Sequence, residues 1–281
     1  MIGEINRMEF SVLISVYYKE NAKHFNRAMR SIWDDQTVKP GEIILVEDGP
    51  LTDKLYEVIS EWKDRLGIVL NVVSLESNVG IGCAKNIGVE KCTKELIAVM
   101  DSDDISLSRR FEMQLQVFES KNVDVCGAWV GEFYHNENKI VSYRRVPEKQ
   151  VDIIKFSKSR SPVNHPVSMY RKTAVLSIGN YSKDYRFGEE DYDLWARMIL
   201  NGAIFYNIQE ALLNMRMGNG QLEDRRGGLD NAVREVVVQK EFYMMGFLNL
   251  FEFIRNVIIG FIARILPKAL LKIVFRVIRK Y

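Results

Sequence analysis

Four short apolar runs mark the first hundred residues, and between them the apolar positions change to helical spacing. Phe10 to Val16 (FSVLISV) and Glu42 to Val46 (EIILV) are β-branched and almost free of charge, as buried strands are. Ile68 to Leu75 and Glu95 to Met100 read as the third and fourth strands. Asn21 to Gln36 spaces Phe25, Ala28, Met29 and Ile32 on one helical face, and Leu51 to Leu66 does the same with Leu55, Val58, Ile59 and Trp62. A third helix, built of small residues, opens at Asn78-Val79-Gly80-Ile81-Gly82 and runs through Ala84, Ile87 and Gly88. Strand and helix alternating in this way predict a parallel sheet with helices on both faces.

Beyond Met100 the pattern loosens. Leu107 to Ser120 has helical spacing through Phe111, Leu115 and Phe118. Val123 to Tyr134 and Ile140 to Tyr143 read as strands around the turn Asn136-Glu137-Asn138. Gln150 to Phe156 reads as a short helix and His165 to Tyr170 as a strand. Glu190 to Asn201 is a helix with Leu194, Met198 and Ile199 apolar, and Ala203 to Ile208 and Ala211 to Met215 are two further strands. Residues 216–231 are glycine-rich and charged, the composition of a surface loop. No internal repeat appears.

Composition changes this picture in one place. The net charge of +2 is the sum of two unlike parts. From Phe253 to Tyr281 there are seven Lys or Arg and no acid; the preceding residues carry 39 − 7 = 32 bases against 37 acids, a net of −5. Past Pro267, Lys268, Lys272, Arg276 and Arg279 share one helical face, opposite Leu270, Leu271, Val274, Phe275 and Ile278. Uncharged runs here are too short to span a bilayer, which needs roughly 20 apolar residues. The pattern suits an interfacial helix on an anionic leaflet, and equally an amphipathic helix docked on the body. The three cysteines, Cys83, Cys92 and Cys126, form no CxxC pair, which fits a reducing compartment and gives no zinc signal. The N-terminus has no secretory pattern, and three histidines leave little for a histidine-built metal site.

The chemistry gathers at strand ends. The fourth strand stops in Asp101-Ser102-Asp103-Asp104, three carboxylates in four residues. Ligands of a parallel sheet bind outside the carboxyl ends of its strands. Like charges there call for a cation, and Mg²⁺ or Mn²⁺ prefers oxygen ligands shared with substrate phosphates. The alternative is a solvated turn whose Asp or Ser caps the next helix. Ser15-Val16-Tyr17 and Glu47-Asp48-Gly49 end the first two strands and should meet this cluster. An aromatic wall for a base, a carboxylate for a base N–H or ribose hydroxyl, and a metal for a diphosphate are what a nucleotide requires. Tyr17 as a core aromatic and Asp48-Gly49 as a simple turn are the plainer alternatives. Downstream, Glu190-Asp191 opens a helix, where acids are also favoured by the helix dipole alone.

Together these segments resemble the family 2 glycosyltransferases, inverting sugar-nucleotide-dependent enzymes with the GT-A fold. The matching residues are Ser15-Val16-Tyr17, Ser31-Ile32 with Gln36, Val46-Glu47-Asp48-Gly49 with Asp53, Asn78-Val79-Gly80, Ala84-Lys85-Asn86-Ile87-Gly88, the Asp cluster, Arg110-Phe111, His165-Pro166 with Met169-Tyr170-Arg171-Lys172, and Glu190 to Trp195. The resemblance runs from about residue 10 to 215 and looks closest to the amylovoran and O-antigen branch, whose members extend a lipid-linked sugar. It implies a Rossmann-like, mostly parallel central sheet flanked by helices. The GT-A domain is expected over 1–235, with a nucleotide-binding half at about 8–105, an acceptor half at about 106–235 and a basic amphipathic tail over 236–281.

The resemblance makes Asp191 the catalytic base. It places Ser15, Tyr17, Asp48, Lys85, Asp101 and Ser102 at the donor and Asp103 on an Mn²⁺ or Mg²⁺ ion. Glu190, Asp104 and His165 are further candidates: Asp104 as an indirect aid to the metal or a helix cap, His165 as a lining of the diphosphate or acceptor site or a buried structural histidine. Lys85 stands where the family often has Arg, and offers a point charge rather than a fork. Arg216 and Arg225-Arg226 are candidate phosphate clamps or solvated loop residues. The implied donor is a UDP-sugar (galactose, glucose or N-acetylglucosamine), and the acceptor a polyprenyl-diphosphate-linked saccharide in O-antigen, capsule or exopolysaccharide synthesis. The implied location is peripheral, on the cytoplasmic face of the inner membrane; no nucleic-acid partner is expected. The QxxRW signature of processive synthases is absent. Two rivals remain: a sugar nucleotidyltransferase, which lacks its glycine-rich loop here, and a non-catalytic membrane-surface protein.

Overall fold

The computed structural model describes residues 8–183, 189–218 and 229–265. The four expected strands form one parallel sheet: β1 (Phe10–Val16), β2 (Glu42–Glu47), β3 (Leu70–Ser74) and β4 (Leu96–Asp101), side by side in the order β3-β2-β1-β4. Helices α1 (Ala22–Ile32), α2 (Asp53–Leu66) and α3 (Ile81–Lys91) connect them. Asn21 caps α1, its Oδ1 accepting from Lys23 N (2.9 Å) and His24 N (3.3 Å). Alternating residues of β1 serve opposite faces. Val12 and Ile14 join the core under α1 and α2, while Leu13 joins the core under α3. Gly88 lets α3 lie close on the sheet: a Cβ there would stand 2.2 Å from Leu13 Cδ1 and 3.1 Å from Val46 Cγ2.

On the far side of β4 the sheet becomes mixed. β5 (Ile105–Ser106), α4 (Arg110–Ser120), β6 (Val125–Phe133), β7 (Ser142–Arg144), α5 (Gln150–Ser157), β8 (Met169–Arg171), α6 (Lys172–Ser177), α7 (Glu190–Leu200) and β9 (Phe205–Arg216) follow. The order continues β4-β8-β6-β9-β5, with β7 on β6. β8 is antiparallel to both β4 and β6, and β9 is parallel to β6. Parallel pairing therefore dominates β1 to β4, and the later strands add the antiparallel pairs.

Three local expectations are corrected, and one helix was not foreseen. Ala203 to Ile208 and Ala211 to Met215 are not two strands but the single β9, because β6 pairs with it throughout and absorbs the irregular stretch as a register shift near Trp129. His165 to Tyr170 is a 3-10 turn (His165–Val167) followed by the short β8, because Pro166 supplies no N–H to a ladder. The helix expected from Leu107 starts at Arg110, since Ile105 and Ser106 pair with β9 first. Helix α6 had no periodic signal in its six residues.

Two more helices, α8 (Leu229–Met244) and α9 (Leu250–Ile265), complete the described chain. Residue 236 falls within α8, and Val238 and Phe242 of that helix pack with Phe247 and Leu248 against Tyr192 and Ala196 of α7. Among the described residues no helix is long and apolar enough to cross a membrane. The basic face beyond Pro267 and Arg225-Arg226 lie outside the described residues.

Candidate active site at the carboxyl edge of the sheet

Register brings the strand-end residues together. Ser15 pairs with Asp101 on one side and Val46 on the other, and Val16 pairs with Glu47. Asp48 follows directly and is buried. Its carboxylate accepts from Asn78 Nδ2 (2.9 Å), Val79 N (2.7 Å) and Gly80 N (3.2 Å). Asp48 thus shapes the loop before α3, a role that spacing alone does not reveal. Gly49 turns the chain at φ +85, with Asn78 N only 2.6 Å from where a Cβ would be. Tyr17 is 41% exposed, so it is no core aromatic; its ring meets that of Tyr18 edge-on at 5.8 Å.

Lys85 has 1% of its surface exposed. Its ammonium lies 3.2 Å from Asp101 Oδ1 and 3.0 Å from His165 Nδ1. Burial alone would raise the Asp101 pKa, but the neighbouring ammonium more than offsets it and holds the carboxyl below its usual value. His165 is pushed the other way: burial, then Lys85, keep it well below 6.5 and neutral. Lys85 therefore donates to Nδ1, and Nε2–H donates to the Tyr181 hydroxyl at 2.8 Å. Tyr181 O–H in turn lies 3.3 Å from the Tyr170 hydroxyl. His165, Tyr181 and Tyr170 are all buried, so His165 belongs to a polar chain behind Asp101. Under the strand end, the buried Arg110 donates from Nη2 to Val99 O (2.6 Å) and Ser168 O (3.3 Å), tying β4 to the turn before β8.

The rest of the Asp cluster faces a second set of partners. Ser102 Oγ donates to Glu20 Oε2 at 2.8 Å. Burial, then Glu20 and Asp101, push the Asp103 carboxyl up to about 7. Asp104 is buried and raised well above 3.8 by burial, then by Asp103 and Asp101. Its Oδ1 accepts from Arg216 N at 2.8 Å, while its Oδ2 is buried without a partner. Asp104 does not cap α4, whose N-cap residue is Arg109 and has no side-chain cap. Arg216 also donates from Nε to Asp103 O (3.0 Å) and covers the Phe133 ring at 4.6 Å. Beside Asp103 opens a cavity of about 280 Å³, lined by His24, Tyr134, His135, Arg216, Met217 and Gly218.

This chemistry suits a hard divalent cation. Carboxylates crowded enough to raise one another's pKa, with one buried oxygen unpartnered, are relieved by positive charge. Among the described residues no three metal-ligating side chains form a closed cage. An ion held by one or two carboxylates and completed by substrate phosphates requires no such cage.

Helix α7 brings the last acids. Glu189 takes a left-handed turn (φ 68), and Glu190, Asp191 and Asp193 fill the first helical turn, as the dipole favours. Asp193 is committed to Arg197 at 2.6 Å. Glu190 is buried, its Oε2 has no partner, and burial, then Asp191, raise it to about 7 against the pull of Lys85. Asp191 is half-buried, with Oδ1 accepting from Tyr192 N at 2.8 Å. Trp195 is fully buried and belongs to the core. Ser15, Asp48, Lys85, Asp101, Asp103 and the start of α7 are thus brought to one edge. Two members had no sequence signal. Glu20 sits in a loop 82 residues before its partner Ser102, and Tyr181 lies in an aromatic, charged stretch read only as loop.

Residues 11–178 match the family model described as glycosyl transferase family 2. Over 276 residues the chain is 36% identical to the UDP-Gal:alpha-D-GlcNAc-diphosphoundecaprenol beta-1,3-galactosyltransferase of Escherichia coli, covering 97% of this chain and 98% of that one. It is 38% identical to the amylovoran biosynthesis glycosyltransferase AmsE of Erwinia amylovora over 220 residues, 78% of this chain and 80% of the relative. Among solved structures, the mannosyltransferase PcManGT of Pyrobaculum calidifontis, in complex with GDP-Man and Mn²⁺, superposes with a TM-score of 0.63 at 12% identity, over 92% of this chain and 70% of that one. TarS 1-349 of S. aureus with UDP-GlcNAc gives 0.61 at 18% identity, over 84% and 66%. At these identities the two structures speak for the fold, which is GT-A.

Proposed function

The chain belongs to glycosyl transferase family 2, and we propose that it moves a hexose from a UDP-sugar to a lipid-diphosphate-linked saccharide, with inversion, in the synthesis of a bacterial surface polysaccharide. Galactose is the first candidate sugar, because the Escherichia coli relative named for that transfer matches end to end. Glucose and N-acetylglucosamine follow. The carrying observation is the meeting of two acidic groups: the Glu190 carboxyl of Glu190-Asp191 lies in the field of Lys85 and Asp101 at the donor edge.

In this reading Tyr17 walls the base. Ser15 and Asp101 face the ribose, while Asp48 holds the loop over the nucleotide. Ser102, tied to Glu20, keeps the turn in place. Lys85 steadies Asp101 from behind and adds positive charge toward the diphosphate. Asp103, with Asp104 behind it, holds Mn²⁺ or Mg²⁺, and that ion when bound supplies charge stabilisation for the departing nucleoside diphosphate. Asp191 takes the proton of the acceptor hydroxyl as its oxygen attacks the anomeric carbon. The C–O bond to the nucleoside diphosphate breaks on the opposite face, so one displacement inverts the centre and no carboxylate nucleophile is required. Peripheral attachment to the cytoplasmic face of the inner membrane suits a polyprenyl-linked acceptor.

The test is a donor screen with Mn²⁺ and a synthetic lipid-diphosphate monosaccharide, with the product's anomeric configuration read by NMR. Asp191→Asn should lower kcat by about 10²–10⁴-fold with little change in donor KM. Full activity in that variant would remove Asp191 from the base role.

A further inference from the structure

Helix α9 is built inside out. Its inward face is polar and aromatic. Asn256 Nδ2 donates to Lys158 O (2.7 Å) and Gln239 Oε1 (2.9 Å), and Arg255 Nη2 donates to Lys158 O (3.1 Å). Phe253 stacks on Tyr243 of α8 at 5.3 Å and 23°. Lys158, at the end of α5, caps the arrangement with its ammonium 3.9 Å from the Phe247 ring centre. Asn256 and Gln239 are buried, at 7% and 1% exposure. The outward face is apolar: Leu250 is 56% exposed, Phe251 74%, Ile254 47% and Ile258 53%. At 100° per residue these four fall within about 100° of arc, with no charged residue among them.

A helix with this distribution is not shaped for water on its outer side. Its 16 described residues run roughly 24 Å, and among the described residues no helix is long and apolar enough to cross the ~30 Å hydrocarbon core. We propose that the Leu250–Phe251–Ile254–Ile258 face of α9 lies flat in the headgroup and acyl boundary of an anionic membrane, with the α8–α9 pair as a rigid seat between bilayer and catalytic domain. Charge decides for lipid over a second copy. The six bases and no acid that follow Arg255 in the sequence complement anionic headgroups, whereas another copy brings the same six cations. The seat also has a position. α8 packs on Tyr192 and Ala196 of α7, so the pair is fixed to the helix whose first turn holds the proposed base Asp191. This rests on the lipid-linked acceptor reading for its biological sense and not for its measurement.

The experiment compares the full chain with a Phe251→Ser/Ile254→Ser/Ile258→Ser variant on phosphatidylglycerol-containing and on purely phosphatidylcholine vesicles. The wild type should bind the anionic vesicles, and the variant should bind them about a hundredfold more weakly, because shallow binding scales with buried apolar area. Its urea midpoint and monomeric elution should match the wild type. As a second reading, Phe251→Trp should become quenchable by brominated acyl chains beyond the level of the parent's own tryptophans. Unchanged vesicle binding by the triple variant, or no added quenching, overturns the proposal. So does a wild-type dimer that the triple variant separates. Neither reading needs substrate, so failure of the acceptor assignment and failure of this one are separable.

Discussion

Replacing Lys85 with methionine keeps the volume and removes the one cation that touches Asp101. In the structure the ammonium is almost wholly buried, while a third of the Asp101 side chain (34%) reaches solvent. Breaking a fully buried ion pair by deleting one partner costs about 3–5 kcal/mol. Solvent screening of Asp101 lowers this to about 2–3 kcal/mol near neutral pH. The pH dependence is the sharper signature. In the wild type the Asp101 pKa is held below its unfolded value, so its contribution is present above about pH 4 and lost as pH falls through the folded value. Without Lys85, burial is opposed only by His165 and Arg110, so that pKa rises and Asp101 contributes less stability above about pH 4 in the variant. The gap between the two proteins should therefore narrow on acidification. Urea unfolding at about pH 7.5 and about pH 4.5, extrapolated linearly, measures it. A gap below about 1 kcal/mol at neutral pH, or one equal at both pH values, would refute the reasoning.

Three other outcomes follow from the same geometry. Glu190 sits at about 7, so wild-type stability should fall between about pH 4.5 and 7 as the folded carboxyl is forced to ionise; Glu190→Gln should flatten that fall, only partly because Asp103 titrates in the same window, and an unchanged slope would remove Glu190 from it. Gly88→Ala should cost about 1–3 kcal/mol by overpacking on Leu13, with partial recovery when Leu13→Val is added; a stabilised Gly88→Ala protein would contradict the 2.2 Å approach. Chelation should abolish transfer and Mn²⁺ or Mg²⁺ should restore it, whereas full turnover in EDTA would leave the Asp103 carboxylate without its proposed partner.

The first hundred residues were legible because their strands and helices are long enough for a period to show. Strand and helix alternate there as far as β4, and hydrophobic period separates the two. Asp101 to Asp104 were visible for the same reason, as charge ending an apolar run. The chain beyond Asp104 was read less well. β5 has two residues and α6 has six, too few for any period to show. β9 looked like two strands because its middle, Gln209-Glu210, is polar, and only pairing with β6 makes it one. Roles were harder than positions. Asp48, expected at the nucleotide, has three hydrogen bonds from residues 78–80, and Lys85 is seated against His165 rather than open to solvent. Both facts depend on contacts 30 and 80 residues away, which no local pattern encodes.

The pairing of β9 has a consequence for synthesis. Ribosomes release the chain from its N-terminus, and β1 to β4 with their connecting helices are complete once Asp101 has emerged. Asp104 receives its hydrogen bond from Arg216, 112 residues later, and β5 has no strand partner until β9 exists. During that interval the parallel half of the sheet stands with its acidic edge unfinished. The acidic edge is thus the last part of this end of the sheet to be assembled, and a chain that stops short of β9 has the parallel strands while Asp104 Oδ1 still lacks the Arg216 N–H.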